Sequence, residues 1–264
     1  MTSGKQARRQ RQAQVARPPV RSTGGGRQAS TKVLLYAAAG IAGIAVAIGL
    51  VFAFSGGGSS SANPTTVSAL PDAAASTALF KGIPQRGNVL GKPSAPVTMV
   101  EYIDLQCPIC RAFETEVMPT IAERYVRTGK LKVVARPIAF IGPDSLRGRD
   151  ATIAAGHQNR LFDFAQLLYA NQGPENGGWL NDEIVASAAK SIPGVNVQQL
   201  VDTSNSSGVA STAKQYDSQA KSDRVGGTPA IYIGKSGGTY APVSPETLPE
   251  VATVSAAIDR ALKP

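Results

Sequence analysis

Apolar and polar positions divide the chain into four stretches. Residues 1–32 show no apolar periodicity, residues 33–54 are apolar without a charged side chain, and residues 55–78 are mostly small or polar. A stretch as long as the second can cross the roughly 30 Å core of a bilayer as a helix. The pattern predicts a disordered tail (1–32), a transmembrane signal-anchor helix (33–54), a flexible linker (55–78) and a folded domain (79–264). The alternative for the apolar stretch is a cleaved secretory signal, whose apolar part is usually shorter, about 7–15 residues.

Inside the folded domain, short apolar runs predict strands on either side of a helix. VTMVEYI (97–103) predicts a buried strand, and KLKVVARP (130–137) predicts a second strand. Residues 107–128 between them predict a helix, with Pro108 in its first turn and a kink at Pro119. A strand, a helix and a strand in this order favour two parallel strands joined by a right-handed crossover.

The next part of the chain changes to helical spacing. Residues 144–224 predict three to five inserted helices, with Asn181 and Asn196 as N-caps. The strand pattern returns at AIYI (230–233), with TYAPV (239–243) as a candidate partner strand. Apolar residues on one face predict a closing helix: Val251, Val254, Ile258 and Leu262. The predicted fold class is α/β, divided by a helical insertion.

The charge of the chain is concentrated at one end. A formal charge of +9, from 27 Lys and Arg against 18 Asp and Glu, would by itself suggest a nucleic-acid partner. However, eight basic residues and no acidic residue lie in 1–32, which leaves 19 basic against 18 acidic residues elsewhere. A basic tail beside an apolar span is typical of a segment near anionic lipid head groups rather than nucleic acid. The positive-inside rule then predicts a cytoplasmic tail and a folded domain outside the cell membrane.

Candidate chemistry is concentrated in DLQCPIC, which contains the only two cysteines, Cys107 and Cys110. A zinc site usually needs four nitrogen or sulfur ligands, and the chain adds only His157 to the two cysteines. Covalent haem attachment requires a histidine where Arg111 stands. A purely structural disulfide closing so short a loop would contribute little stability. The spacing therefore favours a redox-active pair.

The start of a helix supplies a reason for redox activity. If Cys107 is the N-cap, its sulfur faces unsatisfied backbone N–H groups and the positive end of the helix dipole, which favour the thiolate. Cys107 is then predicted to be the exposed attacking sulfur, and Cys110, one turn inward, the shielded one. The carboxylate of Asp104 would oppose the thiolate if it pointed at Cys107.

Three features together resemble the DsbA-like thioredoxin-fold thiol:disulfide oxidoreductases in their membrane-anchored form. These are VTMVEYIDLQCPICRAFE, the helical insertion after the second strand, and GGTPAIYI. The resemblance covers about 82–262 and implies that Cys107 is the nucleophile and Cys110 the resolving cysteine. It also implies that Pro108 and Ile109, between the cysteines, contact the substrate. Ile109 stands where the best-known oxidase has histidine, so one contribution to a very low Cys107 pKa is absent.

The resemblance assigns further positions around the cysteines. Thr228 and Pro229 match a loop whose proline is cis and whose preceding residue offers its backbone to an extended substrate. Glu101 matches a buried acidic residue beneath the disulfide. Burial would raise its pKa and let it, or a trapped water, move the proton of Cys110. Glu114 also matches an acidic position of the family.

These observations predict a membrane-tethered, extracytoplasmic disulfide oxidase that donates the Cys107–Cys110 disulfide to exported proteins with cysteines. By resemblance, a membrane protein similar to DsbB or to vitamin K epoxide reductase would reoxidise the pair and pass electrons to quinone. No cofactor is predicted, because no Gly-rich phosphate loop follows a strand. The alternatives are a reductase, for example in cytochrome maturation, an isomerase using the same cysteines, or a chaperone-like domain that binds clients.

Overall fold

The computed structural model describes residues 68–243 and 249–264. The predicted tail (1–32), the predicted membrane span (33–54) and most of the predicted linker (55–78) lie outside the described residues. Within the described parts of the chain, no helix combines the length and apolar character needed to cross a bilayer.

A six-stranded mixed sheet forms the centre of the domain, in the order β1-β2-β4-β3-β5-β6. The central strand β3 (Val97–Ile103) runs parallel to β4 (Leu131–Pro137) and antiparallel to β5 (Ala230–Lys235). All seven residues of β3 are buried, as expected for a strand covered on both faces. The predicted parallel pair and the later strand are thus confirmed. Three two-residue strands complete the sheet: β1 (Gln85–Arg86) and β2 (Val89–Leu90) beyond β4, and β6 (Ala241–Pro242) beside β5.

A first helix, α1 (Ala73–Leu79), lies in the stretch predicted to be a linker. Its sequence AAASTAL is rich in alanine, the strongest helix former. Phe80, directly after it, is buried and packs edge to face against Phe162, with the two ring centroids 6.1 Å apart. The linker prediction is therefore wrong at its C-terminal end, because this helix is held by tertiary packing that composition does not reveal.

The predicted helix after β3 is confirmed, and its geometry changes along its length. It begins as α2 (Pro108–Ala112), passes through a π-helical turn (Phe113–Val117), continues as α3 (Met118–Ile121) and ends in a second π-helical turn (Ala122–Val126). Pro119, which was expected to kink the helix, has no N–H for the usual helical bond and lies two residues after the end of the first π-helical turn.

The insertion contains five helices, the upper end of the predicted number. Asn181 and Asn196 are N-caps as predicted, since their side-chain oxygens accept backbone N–H bonds at 3.1 and 2.9 Å. A further helix closes the chain with Val254 and Ile258 buried, as predicted. The six helices are α4 (Pro143–His157), α5 (Leu161–Ala170), α6 (Asp182–Ser191), α7 (Val197–Ser204), α8 (Ser207–Ser222) and α9 (Val251–Leu262).

One hydrophobic core joins the sheet, the helix that begins after Cys107 (108–126, called the redox helix below) and the insertion. Phe113 of the π-helical turn and Phe164 and Tyr169 of α5 are all fully buried in it. The insertion is therefore packed against the helix that carries the cysteines, where its side chains can act on them.

Candidate active site

The cysteines lie at the turn that joins β3 to α2. Cys107 is the N-cap of α2, with an extended backbone (φ −71°, ψ 118°), and Pro108 follows it in the first turn. The backbone N–H of Cys110 donates to the Cys107 sulfur at 3.3 Å. The sulfur therefore caps the helix as a serine or aspartate oxygen does elsewhere. The predicted position of Cys107 at the helix start is confirmed.

This environment lowers the pKa of Cys107 to about 6, from an ordinary value of about 8.5. The main cause is a hydrogen bond from the side chain of Cys110. Burial opposes the shift, whereas the Thr228 side chain and the backbone N–H groups of Cys110 and Ile109 add to it. The hydrogen-bond donors outweigh the cost of burial, so the thiolate is the favoured form at neutral pH.

The two cysteines are both buried, but their pKa values shift in opposite directions. Cys107 is only 4% exposed and Cys110 is 0% exposed, so the prediction of an exposed attacking sulfur is wrong in degree. The reason is the Thr228 loop, whose carbonyl oxygen accepts a hydrogen bond from the Cys107 thiol at 3.1 Å. Burial, reinforced by the nearby Cys107 sulfur, raises the pKa of Cys110 well above its usual value. Both cysteines are free thiols in the structure.

The loop before β5 reaches the sulfur from the other side. The Thr228–Pro229 peptide bond is cis, as the resemblance implied. Ile109 is 49% exposed next to Cys107, and Pro108 is also exposed. The four positions expected to contact a substrate thus lie around Cys107.

Two buried carboxyl groups form a pair in this part of the core. Glu101, in the middle of β3, is 1% exposed, and Glu114, in the first π-helical turn, is 4% exposed. Burial, together with the charge and hydrogen bond of Glu114, raises the pKa of Glu101 well above its usual value. Burial also raises the pKa of Glu114. One oxygen of each carboxyl group has no hydrogen-bond partner within the described residues. The expected burial of Glu101 is confirmed, whereas its pairing with Glu114 was not foreseen.

The carboxylate of Asp104, whose orientation the sequence left open, anchors the loop after β4. One oxygen accepts the N–H groups of Phe140 and Ile141 at 2.7 and 2.9 Å, and the other accepts the N–H of Gln106 at 2.9 Å. Three backbone donors thus satisfy this fully buried side chain.

Comparison with known proteins places this geometry in a family. The thioredoxin family profile matches residues 85–256, which include both cysteines, the insertion and the Thr228–Pro229 loop. A probable disulfide bond formation protein D of Bacillus cereus is 31% identical over 147 residues, which are 54% of this chain and 68% of that protein. The chain belongs to the thioredoxin family, as a DsbA-like thiol:disulfide oxidoreductase. Disulfide bond formation protein D of Bacillus subtilis is 27% identical over 167 residues, 61% of this chain and 72% of that protein.

Solved structures share the fold of this oxidoreductase. Oxidised BdbD from Bacillus subtilis superposes with a TM-score of 0.60 at 22% identity and covers 69% of this chain and 98% of its own. The alpha-DsbA1 protein of Wolbachia pipientis superposes with a TM-score of 0.57 at 20% identity and covers 66% and 90%, respectively.

Two glutamines of the oxidoreductase that sequence analysis did not single out hold the turn before α2, Gln106 from within the turn and Gln172 from the insertion. Gln106 is fully buried and donates to the Ser145 hydroxyl at 2.9 Å. Gln172 donates to the carbonyl oxygens of Leu105 and Cys107 at 2.8 and 3.1 Å. These contacts join residues 39 to 67 positions apart, so no local sequence signal marks them.

His157, the only histidine of the oxidoreductase, ends α4 and is exposed. In the described ranges of the chain, no three histidine, cysteine or acidic side chains are grouped to hold a metal ion.

Proposed function

We propose that this oxidoreductase is a disulfide donor, which passes the Cys107–Cys110 disulfide to cysteines of exported proteins. The observation that carries the proposal is the N-cap position of Cys107, whose pKa is lowered to about 6. A stabilised thiolate favours the reduced pair, so the Cys107–Cys110 disulfide is a stronger oxidant than it would be with an ordinary Cys107 pKa. The relatives named for disulfide bond formation support the same direction.

Exchange begins when a client thiolate attacks the Cys107 sulfur. The Cys107–Cys110 bond breaks, Cys110 leaves, and a mixed disulfide joins the client to Cys107. A second client thiolate then attacks the client sulfur of this bond, and Cys107 leaves as the thiolate. The client gains one disulfide and the pair gains two electrons. The lowered pKa of Cys107 makes it the better leaving group in the second step.

Cys110 needs a proton when it leaves in the first step, because its buried thiol has a raised pKa. The proposed source is Glu101, acting directly or through a trapped water. Burial and the neighbouring Glu114 raise the pKa of Glu101, which keeps a proton on this buried pair at neutral pH. Glu101 is therefore the proposed proton carrier, and Glu114 maintains its protonated state.

The client would lie between the half-buried Thr228–Pro229 loop and the exposed residues Pro108 and Ile109. The Thr228 main chain next to Cys107 would pair with an extended client segment by strand addition, with Pro229 shaping that wall. On the opposite side, Pro108 and the half-exposed Ile109 would contact client side chains. Contacts through the client main chain would let many sequences bind.

The proposal includes the predicted domain organisation and location. Residues 33–54 would tether the domain to the outer surface of the cell membrane, with the basic tail 1–32 in the cytoplasm and 55 to about 72 as the linker. A membrane protein that transfers electrons to quinone, similar to DsbB or vitamin K epoxide reductase, would reoxidise the pair. This support comes from the sequence pattern and the family resemblance.

Equilibration of the full chain in glutathione buffers, followed by trapping of free thiols, tests the direction of electron flow. A disulfide donor should have a reduction potential well above that of glutathione. A potential well below it would make the protein a reductase. The Cys107→Ala variant, which cannot form the pair, is the control.

A further inference from the structure

The four residues before α2 depend on contacts from the insertion. Gln172 follows the end of α5 and is half-buried, and its own N–H donates to the carbonyl oxygen of Tyr169 at 3.2 Å. Its side-chain amide carries two N–H groups, which donate to the carbonyl oxygens of Leu105 at 2.8 Å and Cys107 at 3.1 Å. A single amide group thus joins the carbonyl groups of two residues in the segment that leads into the redox helix.

The two carbonyl oxygens depend on this amide to different degrees. Leu105 is fully buried, and no other donor reaches its carbonyl oxygen within the described residues. The carbonyl oxygen of Cys107 also accepts the N–H of Arg111 at 3.0 Å, the first backbone bond of the helix. Gln172 therefore acts on the same peptide group that starts α2.

The orientation of that peptide group determines which donors face the sulfur. The N–H of Cys110 lies 3.3 Å from the Cys107 sulfur only while Cys107 keeps its extended N-cap backbone. We propose that Gln172 is a positioning residue for the redox centre, which fixes the Cys107 backbone and thereby aims the first N–H groups of α2 at the sulfur. The inference rests on the proposed role of Cys107 as the sulfur that clients attack.

Two substitutions remove the amide donors while keeping the approximate size of the side chain: Gln172→Met and Gln172→Glu. Each should lower the acid dissociation constant of Cys107 about tenfold, because the N–H groups no longer point steadily at the sulfur. The redox equilibrium of the pair is compared in glutathione buffers, at a pH above the Cys107 pKa of both the wild type and the variant. There the equilibrium of the variant should shift about tenfold towards the Cys107–Cys110 disulfide, which corresponds to about 30 mV. Ultraviolet absorbance of the thiolate and trapping of free thiols in the full chain measure the two effects.

Gln158 offers a matched control. It is also half-buried and also holds a backbone, since its amide donates to the carbonyl oxygen of Asn196 at 3.0 Å and accepts its N–H at 2.8 Å. Gln158→Met should therefore weaken the fold in a comparable way and leave the acid dissociation constant of Cys107 unchanged. A tenfold change in both glutamine variants would mean a general loss of packing and would overturn the inference.

A measurement on the unaltered chain covers the case in which neither Gln172 variant folds. The side-chain amide signals of Gln172 in a nuclear magnetic resonance titration should shift with the apparent pKa of Cys107, because the amide binds that residue. Amide signals that do not respond, or folded Gln172 variants with an unchanged Cys107, would contradict the inference. A wild-type Cys107 with an ordinary pKa would instead contradict the proposed function.

Discussion

Cys107 and Glu114 are equally buried, at 4% exposure each, and yet they respond to burial in opposite ways. The pKa of the Cys107 thiol is lowered to about 6, whereas the pKa of the Glu114 carboxyl is raised. The difference lies in the hydrogen-bond donors. The sulfur faces the Cys110 thiol and the start of α2, but one carboxyl oxygen of Glu114 has no partner within the described residues.

The comparison shows that burial alone does not decide the charge of a group in this core. Burial opposes the anion at both sites, and at Cys107 the hydrogen-bond donors around the sulfur, first the Cys110 thiol, reverse the result. One end of the redox helix therefore favours a negative charge, and its first π-helical turn favours a proton. A thiolate leaving group and a proton reservoir can thus coexist on one helix.

Removal of either sulfur should have the largest effect on client oxidation and on the thiolate of the redox pair. Cys107→Ala should reduce client oxidation to the uncatalysed level, because no sulfur remains for the client to attack. Cys110→Ala also has no disulfide to donate, so client oxidation should be lost there as well, whereas its Cys107 thiolate can still attack a disulfide already present in a client and form a mixed disulfide by exchange. The same variant should raise the pKa of Cys107, since the Cys110 side chain is the main cause of its lowering. Non-reducing electrophoresis and thiolate absorbance measure these outcomes, and continued client oxidation by Cys107→Ala would contradict the account.

Glu114→Gln should remove the buried carboxyl group whose pKa is raised and put a neutral amide in its place. Since folding raises the pKa of Glu114, its contribution to stability is fully present below about pH 4, the unfolded pKa, and is lost as pH rises through the folded pKa. The variant should therefore be more stable than wild type at pH 8, by roughly 1–3 kcal/mol, with little difference at pH 4. Urea unfolding at both pH values measures this. The exposed Glu116 on the same turn provides the control, Glu116→Gln, which should match wild type.

Ile109→His should widen the difference between the Cys107 and Glu114 sites by adding a hydrogen-bond donor beside the Cys107 sulfur. Ile109 is half-exposed next to Cys107, where a protonated imidazole would stabilise the thiolate further. The pKa of Cys107 should fall below about 6, and the disulfide should become about tenfold more oxidising, about 30 mV in potential. Ile109→Asn, which adds polarity without a full charge, should change the potential less. Equal effects of the two variants would argue against the charge as the cause.

Tyr102→Phe has the smallest expected effect, because it removes a donor from a carboxylate outside the redox pair. The Tyr102 hydroxyl donates to the Asp223 carboxylate at 2.6 Å, and Arg136 contacts both groups. Its loss should cost about 1 kcal/mol of stability and leave the pKa of Cys107 unchanged. Denaturant unfolding checks the first effect, with Tyr216→Phe as a control, because the Tyr216 hydroxyl makes no hydrogen bond within the described residues. A changed Cys107 pKa would show that the two regions are coupled.

Local patterns were sufficient to predict much of this fold. Three local signals lie within a few residues of the structures they determine: the mostly apolar run of β3, the proline after Cys107 and the asparagine caps of α6 and α7. The position of Cys107 at a helix start followed from the same kind of signal. These features depend on backbone geometry that neighbouring residues impose.

The features that sequence analysis missed depend on contacts between distant residues. Helix α1 forms where composition suggested a linker, Cys107 is buried where an exposed sulfur was expected, and Glu114 faces Glu101. Gln172 reaches the redox turn from the insertion. No periodicity or motif encodes these pairings, because they arise only when the sheet, the redox helix and the insertion pack around one core.

Titration of the Cys107 thiolate in the reduced full chain is the direct test of whether hydrogen-bond donors outweigh burial at this sulfur. Thiolate absorbance followed against pH should give an apparent pKa of about 6, and Cys107→Ala should show no thiolate in that range, because Cys110 stays protonated. Alkylation of Cys107 should follow the same curve. A Cys107 pKa at or above the ordinary value of about 8.5 would contradict the claim that the helix donors outweigh burial at this sulfur.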